Sequence, residues 1–98
     1  MTRIKRYQKI VKELKKKYNY ECQICGFSFI MDNGEKYCEA HHLKHLSKGG
    51  NQDAENVIIL CSNHHRQFHY SENKINIGDL IEGKRKIYID GKYLIVRF

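Results

Sequence analysis

The apolar residues near the start of the chain recur at the spacing of one helical face. They follow one another at steps of three and four residues, which predicts an amphipathic helix over residues 3–19. Thr2 stands directly before this segment and is a suitable N-cap. The apolar stripe consists of Ile4, Tyr7, Val11, Leu14 and Tyr18.

Beyond this helix the pattern changes to short strands and one short helix. Residues 36–43 and the apolar run 56–60 are typical of strands, and the His/Phe spacing of residues 62–70 favours a helix. A polar segment containing Gly49-Gly50 predicts a loop over 47–53 between the two strands.

The C-terminal part carries a strong hairpin signal. Asp90-Gly91 separates the apolar-rich runs 86–90 and 92–98, and this dipeptide suits a two-residue turn between antiparallel strands. The preceding segment 74–82 is apolar at intervals, but its spacing does not decide between helix and strand.

The length of 98 residues predicts one domain, with a core small enough that a metal or a disulfide is expected to stabilise it. The net charge is +7, and all of the excess lies in residues 1–20, which hold eight Lys/Arg and one Glu. A localised basic helix predicts contact with nucleic-acid phosphates, although it is also compatible with a solvated face that only keeps the protein soluble. The lysine stripe consists of Lys5, Lys9, Lys12 and Lys16.

The chain lacks an apolar run long enough to cross a membrane, and its start does not resemble a signal peptide. Its four cysteines stand among histidines at two-residue gaps, which favours zinc in a reducing compartment over disulfides. We therefore expect a cytoplasmic protein.

Two residue pairs have the spacing of a structural zinc site. Cys22 and Cys25 precede the first predicted strand, whereas Cys61 and His64 follow the second. Two such pairs supply four tetrahedral ligands and join distant parts of the chain. The alternative is a set of reduced core thiols beside an unrelated histidine. Cys38 has no partner at ligand spacing and is expected to be a small buried apolar residue.

A second group of residues has the composition of a hydrolytic metal centre. His65 and His69 are four residues apart and share a face of the predicted helix, and His41 is a natural third ligand from the strand. His42 then remains as a general base, and Asn56 begins the partner strand and can orient it. Because successive strand residues face opposite sides, His41 and His42 serve one site only if the strand ends or twists there.

These residues resemble the HNH endonuclease family, whose fold is a ββα-metal core. The similar part is residues 22–70, which read CQIC, then EAHHLKHLSKGG, then ENVIILCSNHHRQFHY. The resemblance implies His42 as general base, Asn56 as its orienting residue, and His41 and His65 as metal ligands. A three-histidine site like that of colicin-type nucleases would add His69.

The chain departs from the family pattern at three positions. His64 stands where a fourth cysteine is more common, His45 where a proline is common, and His41 where the first metal ligand is often Asp. Imidazole donors favour Zn²⁺, Ni²⁺, Co²⁺ or Mn²⁺ over Mg²⁺. We therefore expect tolerance of several transition metals and a weaker dependence on Mg²⁺.

The sequence thus predicts an α+β fold over residues 1–98. It comprises a basic helix (1–20), a zinc-stabilised ββα-metal core (21–70) and an extension with a β-hairpin (71–98). The resemblance implies hydrolysis of double-stranded DNA to 5′-phosphate and 3′-hydroxyl ends, with Arg66 joining the helix lysines on flanking phosphates. Such a nuclease could be the catalytic part of a restriction enzyme, a free-standing phage or mobile-element nuclease, a homodimer, or a unit fused to a DNA-recognition domain. The competing hypothesis is a non-catalytic zinc module that binds nucleic acid.

Overall fold

The computed structural model describes residues 3–43 and 54–98, which form two helices and three small antiparallel sheets. Neither of these helices has the length and apolarity needed to span a bilayer. The predicted N-cap Thr2 and the predicted loop 47–53 lie outside the described residues. The elements in chain order are α1 (Arg3–Lys17), β1 (Phe29–Ile30), β2 (Lys36–Tyr37), β3 (Glu39–His42), β4 (Val57–Leu60), α2 (Ser62–Tyr70), β5 (Asn76–Ile77), β6 (Lys84–Ile89) and β7 (Lys92–Arg97).

Helix α1 ends two residues earlier than its apolar stripe predicted. Asn19 and Tyr20 have φ angles of 56° and 58°, so the backbone turns left-handed after Tyr18. The apolar face of the helix packs on one face of the β3–β4 pair, where Leu14 contacts Val57 and Ile59. Helix formation on this side is therefore stabilised mainly by burial of one face.

The two central strands form the hairpin that carries both histidines of the HH pair. Strand β4 is wholly buried, and the antiparallel register sets His41 opposite Ile58 and His42 opposite Val57. The predicted single strand 36–43 is wrong in its continuity, because Cys38 interrupts it. Cys38 turns its side chain into the α1 cluster, and the chain changes strand partner at that point. The expectation that Cys38 is buried is confirmed, since it is 6% exposed.

A three-stranded sheet of order β5–β6–β7 covers the other side of the core. The hairpin predicted at Asp90-Gly91 is confirmed, and its turn residues have φ angles of 54° and 78°, as a type I′ turn requires. The undetermined segment 74–82 contains the short strand β5, which pairs with β6. The inner face of this sheet joins the main core cluster, whose fully buried members are Ile58, Leu60, Ile87 and Ile89.

Arg85 joins this sheet to the turn before β4. Its Nη1 donates to the Gly78 carbonyl and its Nη2 to the Glu55 carbonyl, both at 2.9 Å. The guanidinium also lies 5.1 Å from the ring centre of Phe98. The C-terminal hairpin thereby contacts the 3₁₀ turn Ala54–Asn56.

The α+β class and the ββα order of β3, β4 and α2 agree with the sequence prediction. Around β3, β4 and α2 there are three places where side chains from different elements can converge. The first lies between α2 and the Cys22–Cys25 turn, the second between α2 and β3, and the third between α1 and β3.

Candidate metal centres and active site

The four residues predicted to bind zinc lie together. The donor atoms of Cys22, Cys25, Cys61 and His64 are all within 4.8 Å of one another. His64 Nδ1 is 3.3 Å from the Cys61 sulfur and 3.6 Å from the Cys22 sulfur, and the Cys25 and Cys61 sulfurs are 3.8 Å apart.

These separations fit a tetrahedral ion. A zinc with bonds of ~2.3 Å to sulfur and ~2.0 Å to nitrogen separates two sulfurs by about 3.8 Å and a sulfur from a nitrogen by about 3.5 Å. None of the cysteines among the described residues is in a disulfide. The cluster can therefore hold a structural metal, and its soft donors suit zinc.

Local backbone structure presents these ligands. Between Cys22 and Phe27 the chain makes a tight turn in which Gly26 has a φ angle of 75°. Gln23 fastens the turn to β4, because its amide donates to the Ile59 carbonyl and its side-chain oxygen accepts from the Ile59 amide.

On the opposite side of the cluster, Cys61 is the N-cap of α2. Its sulfur accepts from the His64 backbone N–H at 3.5 Å. The positive end of a helix stabilises a thiolate placed there, so the ligand and the cap reinforce each other.

The protonation tendencies of the cluster follow from its crowding. Desolvation, reinforced by the neighbouring thiols of Cys22 and Cys61, raises the pKa of the Cys25 thiol to about 11. Burial lowers the pKa of His64, which favours the neutral imidazole that binds metals. At neutral pH an ion must therefore displace thiol protons on binding, so its apparent affinity rises with pH.

The second predicted ligand set also comes together. The ring nitrogens of His41, His65 and His69 lie within 4.8 Å of one another. The Nε2 atoms of His65 and His69 are 3.1 Å apart, whereas an ion with bonds of ~2.0–2.1 Å to both would hold them roughly 3.0–3.4 Å apart. The buried ring of His41 stands edge-on to both other imidazoles and to Phe68. The cluster can therefore hold a second divalent ion with three imidazole ligands.

A carboxylate that has no metal-like spacing in the sequence orients one of these ligands. Glu39 Oε1 lies 3.0 Å from His65 Nδ1, so His65 directs its Nε2 towards the other histidines. A carboxylate on the second nitrogen of a metal-binding imidazole fixes its tautomer and strengthens it as a donor. The available signal was the strand period, since Glu39 and His41 are two positions apart in β3 and face the same side.

The predicted base faces away from this cluster. His41 points towards α2, whereas the His42 ring lies against Tyr7 of α1, with ring centres 4.8 Å apart and planes inclined by 20°. The expected alternation is thus present, and His42 lies at the end of its strand, where Leu43 N donates to the Asn56 carbonyl. The prediction that Asn56 begins the partner strand is wrong by one position, because Asn56 ends the 3₁₀ turn Ala54–Asn56 and β4 starts at Val57, which pairs with His42.

Three lysines of α1 border a groove of about 730 Å³ between the helix and β3. Of the predicted DNA-binding residues, Lys9 and Lys12 line it, while Lys5 and Lys16 are exposed elsewhere on the helix. Lys15, which the stripe did not include, lines it as well. Arg66 is exposed on α2, next to His65. The groove is also lined by Tyr7, Val11 and Ala40.

Comparison with known proteins gives a consistent picture. The chain is 43% identical over 54 residues to the type IV methyl-directed restriction enzyme EcoKMcrA of Escherichia coli K12, covering 53% of this chain and 20% of that enzyme. It is 34% identical over 71 residues to anaredoxin of a Nostoc species, covering 72% of this chain and 86% of that protein.

A solved structure has a similar fold. The modification-dependent TagI restriction endonuclease superimposes with a TM-score of 0.69 at 26% identity, over 92% of this chain and 30% of that enzyme. The chain thus spans about a fifth of the length of EcoKMcrA and less than a third of TagI. The HNH endonuclease family model matches residues 22–71, which include every residue of both donor clusters. The chain therefore belongs to the HNH endonuclease family.

Proposed function

We propose that this protein is a metal-dependent endonuclease that hydrolyses phosphodiester bonds in double-stranded DNA. The observation that carries the proposal is the convergence of His41, His65 and His69, whose ring nitrogens lie within 4.8 Å, on a hairpin that also carries His42 at the next strand position. A module that only binds nucleic acid has no need for this second cluster beside a structural zinc.

In the proposed reaction His42 accepts a proton from a water molecule as its oxygen attacks the phosphorus. The bond from phosphorus to the 3′ oxygen breaks, and the departing oxygen takes a proton from solvent. Asn56 keeps His42 in position, and His41, His65 and His69 would hold the ion. The chemistry supplied by a bound divalent ion is Lewis-acid polarisation of the phosphate and neutralisation of charge on the leaving 3′ oxygen. The products would carry 5′-phosphate and 3′-hydroxyl ends.

The donor chemistry bears on the identity of both ions. Three cysteines and one imidazole at tetrahedral separations favour zinc in the cluster at the start of α2. Three imidazoles without a carboxylate ligand favour Mn²⁺, Ni²⁺, Co²⁺ or Zn²⁺ over Mg²⁺ in the other. A zinc–thiolate centre also needs reduced cysteines, which supports a reducing compartment such as the cytoplasm.

The groove between α1 and β3 supports contact with the DNA backbone. Lys9, Lys12 and Lys15 border it and His42 stacks on Tyr7, which also lines it. Lysine contacts to phosphate position a duplex without reading its sequence. Lys5, Lys16 and Arg66 would contact phosphates farther along.

One chain offers one three-histidine cluster within its described residues, so one molecule is expected to nick a duplex. Cleavage of both strands would take a homodimer or two successive events. The matched restriction enzymes are several times longer than this chain, which supports a role as the catalytic unit beside a DNA-recognition domain.

The test is cleavage of supercoiled plasmid in Mn²⁺, Ni²⁺, Co²⁺ or Mg²⁺ by the wild type, His42→Ala and the exposed α2 control Asn63→Ala. We expect nicking by the wild type and by Asn63→Ala, a loss of nicking in His42→Ala, and retained DNA binding in all three. Absence of cleavage with every metal, together with one metal ion per chain, would establish the zinc-stabilised binding module instead.

A further inference from the structure

The ring contact between Tyr7 and His42 joins α1 to the proposed catalytic residue. The rings are close to parallel, with centres 4.8 Å apart, and they come from positions 35 residues apart in the chain. The contact exists because the alternation of β3 turns His42 towards α1 while His41 faces α2.

Tyr7 is itself firmly held. It packs against the cluster formed by Leu14, Val57 and Ile59, on the same helical face as Ile10 and Tyr18. Burial raises the pKa of Tyr7, so the ring at His42 stays an uncharged phenol. The neutral ring, packed on the buried cluster, lies nearly parallel to the His42 imidazole and carries no negative charge that would take up its proton.

The neighbouring strand residue makes room for this contact. Ala40 lies two positions before His42 in β3, on the same face, and it lines the groove together with Tyr7. A larger side chain at position 40 would compete with the phenol ring for this space. Helix α1 therefore reaches the edge of the strand where His42 stands.

We propose that Tyr7 is a positioning residue that holds the His42 imidazole in the orientation needed to take a proton from water. The proposal rests on the proposed nuclease function. Stacking restricts rotation of the imidazole about its Cβ–Cγ bond, and reaction rates fall steeply when a reacting group is displaced by as little as ~1 Å. Tyr7 lies outside the family match at residues 22–71, so α1 contributes to the reaction centre as well as to charge.

The experiment compares Tyr7→Leu, Tyr7→Phe and Tyr18→Leu by kcat and KM on a duplex oligonucleotide, with metal content measured for each. Tyr18→Leu is the matched control, because Tyr18 packs on the same cluster from the same helix. We expect kcat to fall about tenfold or more in Tyr7→Leu, with KM and metal content unchanged. Tyr7→Phe, which keeps the ring, and Tyr18→Leu should remain within about twofold of the wild type.

A second readout follows the ring itself. In NMR spectra the His42 ring protons should show contacts to Tyr7 and a ring-current shift, both lost in Tyr7→Leu and kept in Tyr18→Leu. In the His42→Ala background, Tyr7→Leu should cause no further loss of residual activity, because the two residues act through one group.

Equal losses of kcat in Tyr7→Leu and Tyr18→Leu, or an additive loss with His42→Ala, would show general packing and overturn the role of Tyr7. An active wild type whose kcat survives Tyr7→Leu would overturn this role alone. A wild type that cleaves no DNA would overturn the proposed function, and the role of Tyr7 with it, whatever the NMR contacts show.

Discussion

His64 and His65 are neighbours in α2, yet their imidazoles belong to different donor clusters. His64 Nδ1 lies 3.3 Å from the Cys61 sulfur, whereas His65 Nε2 lies 3.1 Å from His69 Nε2. Adjacent positions on a helix point about 100° apart, so one turn of α2 can serve two sites. The zinc-type cluster fixes the start of the helix that carries two of the three proposed catalytic ligands.

The two clusters should respond differently to loss of a ligand. Cys61→Ala removes both a ligand and the helix cap, so we expect loss of one ion per chain and a large fall in thermal stability, because structural zinc contributes on the order of 10 kcal/mol to folding. His69→Ala should lose the other ion and leave the fold intact, because His69 is exposed. Metal analysis combined with thermal unfolding checks both outcomes, and equal destabilisation by the two changes would contradict the division of roles.

Glu39→Gln should weaken the three-histidine site without unfolding the chain. The variant loses the carboxylate that lies 3.0 Å from His65 Nδ1, and loss of such a partner lowers metal affinity about 10- to 100-fold. Calorimetric titration of zinc-loaded protein with Mn²⁺ or Ni²⁺ measures the effect. Glu35→Gln, an exposed change in the neighbouring hairpin, is the control, and equal affinities in the two variants would refute the role of Glu39.

Replacement of Lys9, Lys12 and Lys15 by glutamine should reduce the salt dependence of DNA binding. Each phosphate contact contributes about 0.9 to the slope of log affinity against log salt concentration, so three contacts predict a fall of roughly 2.7. Fluorescence anisotropy at several salt concentrations measures the slope. The control replaces the exposed Lys84, Lys86 and Lys92 of the C-terminal hairpin. If both triple variants lower the slope equally, net charge and not the groove is responsible.

Cys38 gives a prediction for alkaline pH. Burial raises the pKa of its thiol above the unfolded value, so folding favours the protonated form. Its contribution to stability is therefore complete below the unfolded pKa and is lost as pH rises through the folded pKa. The difference in free energy of unfolding between wild type and Cys38→Ala should shrink with increasing pH in urea titrations from about pH 8 upward. A difference that stays constant would place the Cys38 thiol in contact with water.

Local patterns were enough to predict both helices, the C-terminal hairpin and the buried strand β4. The helix end at Lys17 and the break at Cys38 escaped prediction for a shared reason. Each depends on which surface the chain meets next, and spacing along the sequence does not contain that information. The type of segment 74–82 was undetermined because β5 is defined by its pairing with β6.

In the candidate site, too, residue type and spacing predict some of the residues, whereas others are recognised only from their tertiary contacts. The ligand residues follow from residue type and spacing, and the structure places their donor atoms together. The alternation of strand residues predicts that Glu39 shares a face with His41, but Glu39 has no spacing typical of a metal ligand. In the sequence Tyr7 is one more member of an apolar stripe, because its contact with His42 exists only after α1 docks on β3.

The bond from Arg85 Nη2 to the Glu55 carbonyl connects the C-terminal hairpin to the turn Ala54–Asn56. Glu55 immediately precedes Asn56, whose carbonyl accepts from Leu43 beside His42. A displacement of the hairpin would act through this guanidinium on the turn whose Asn56 carbonyl accepts from Leu43, the residue next to the proposed base. A domain attached at this end of the chain would therefore have a hydrogen-bonded route to the proposed reaction centre that bypasses both donor clusters.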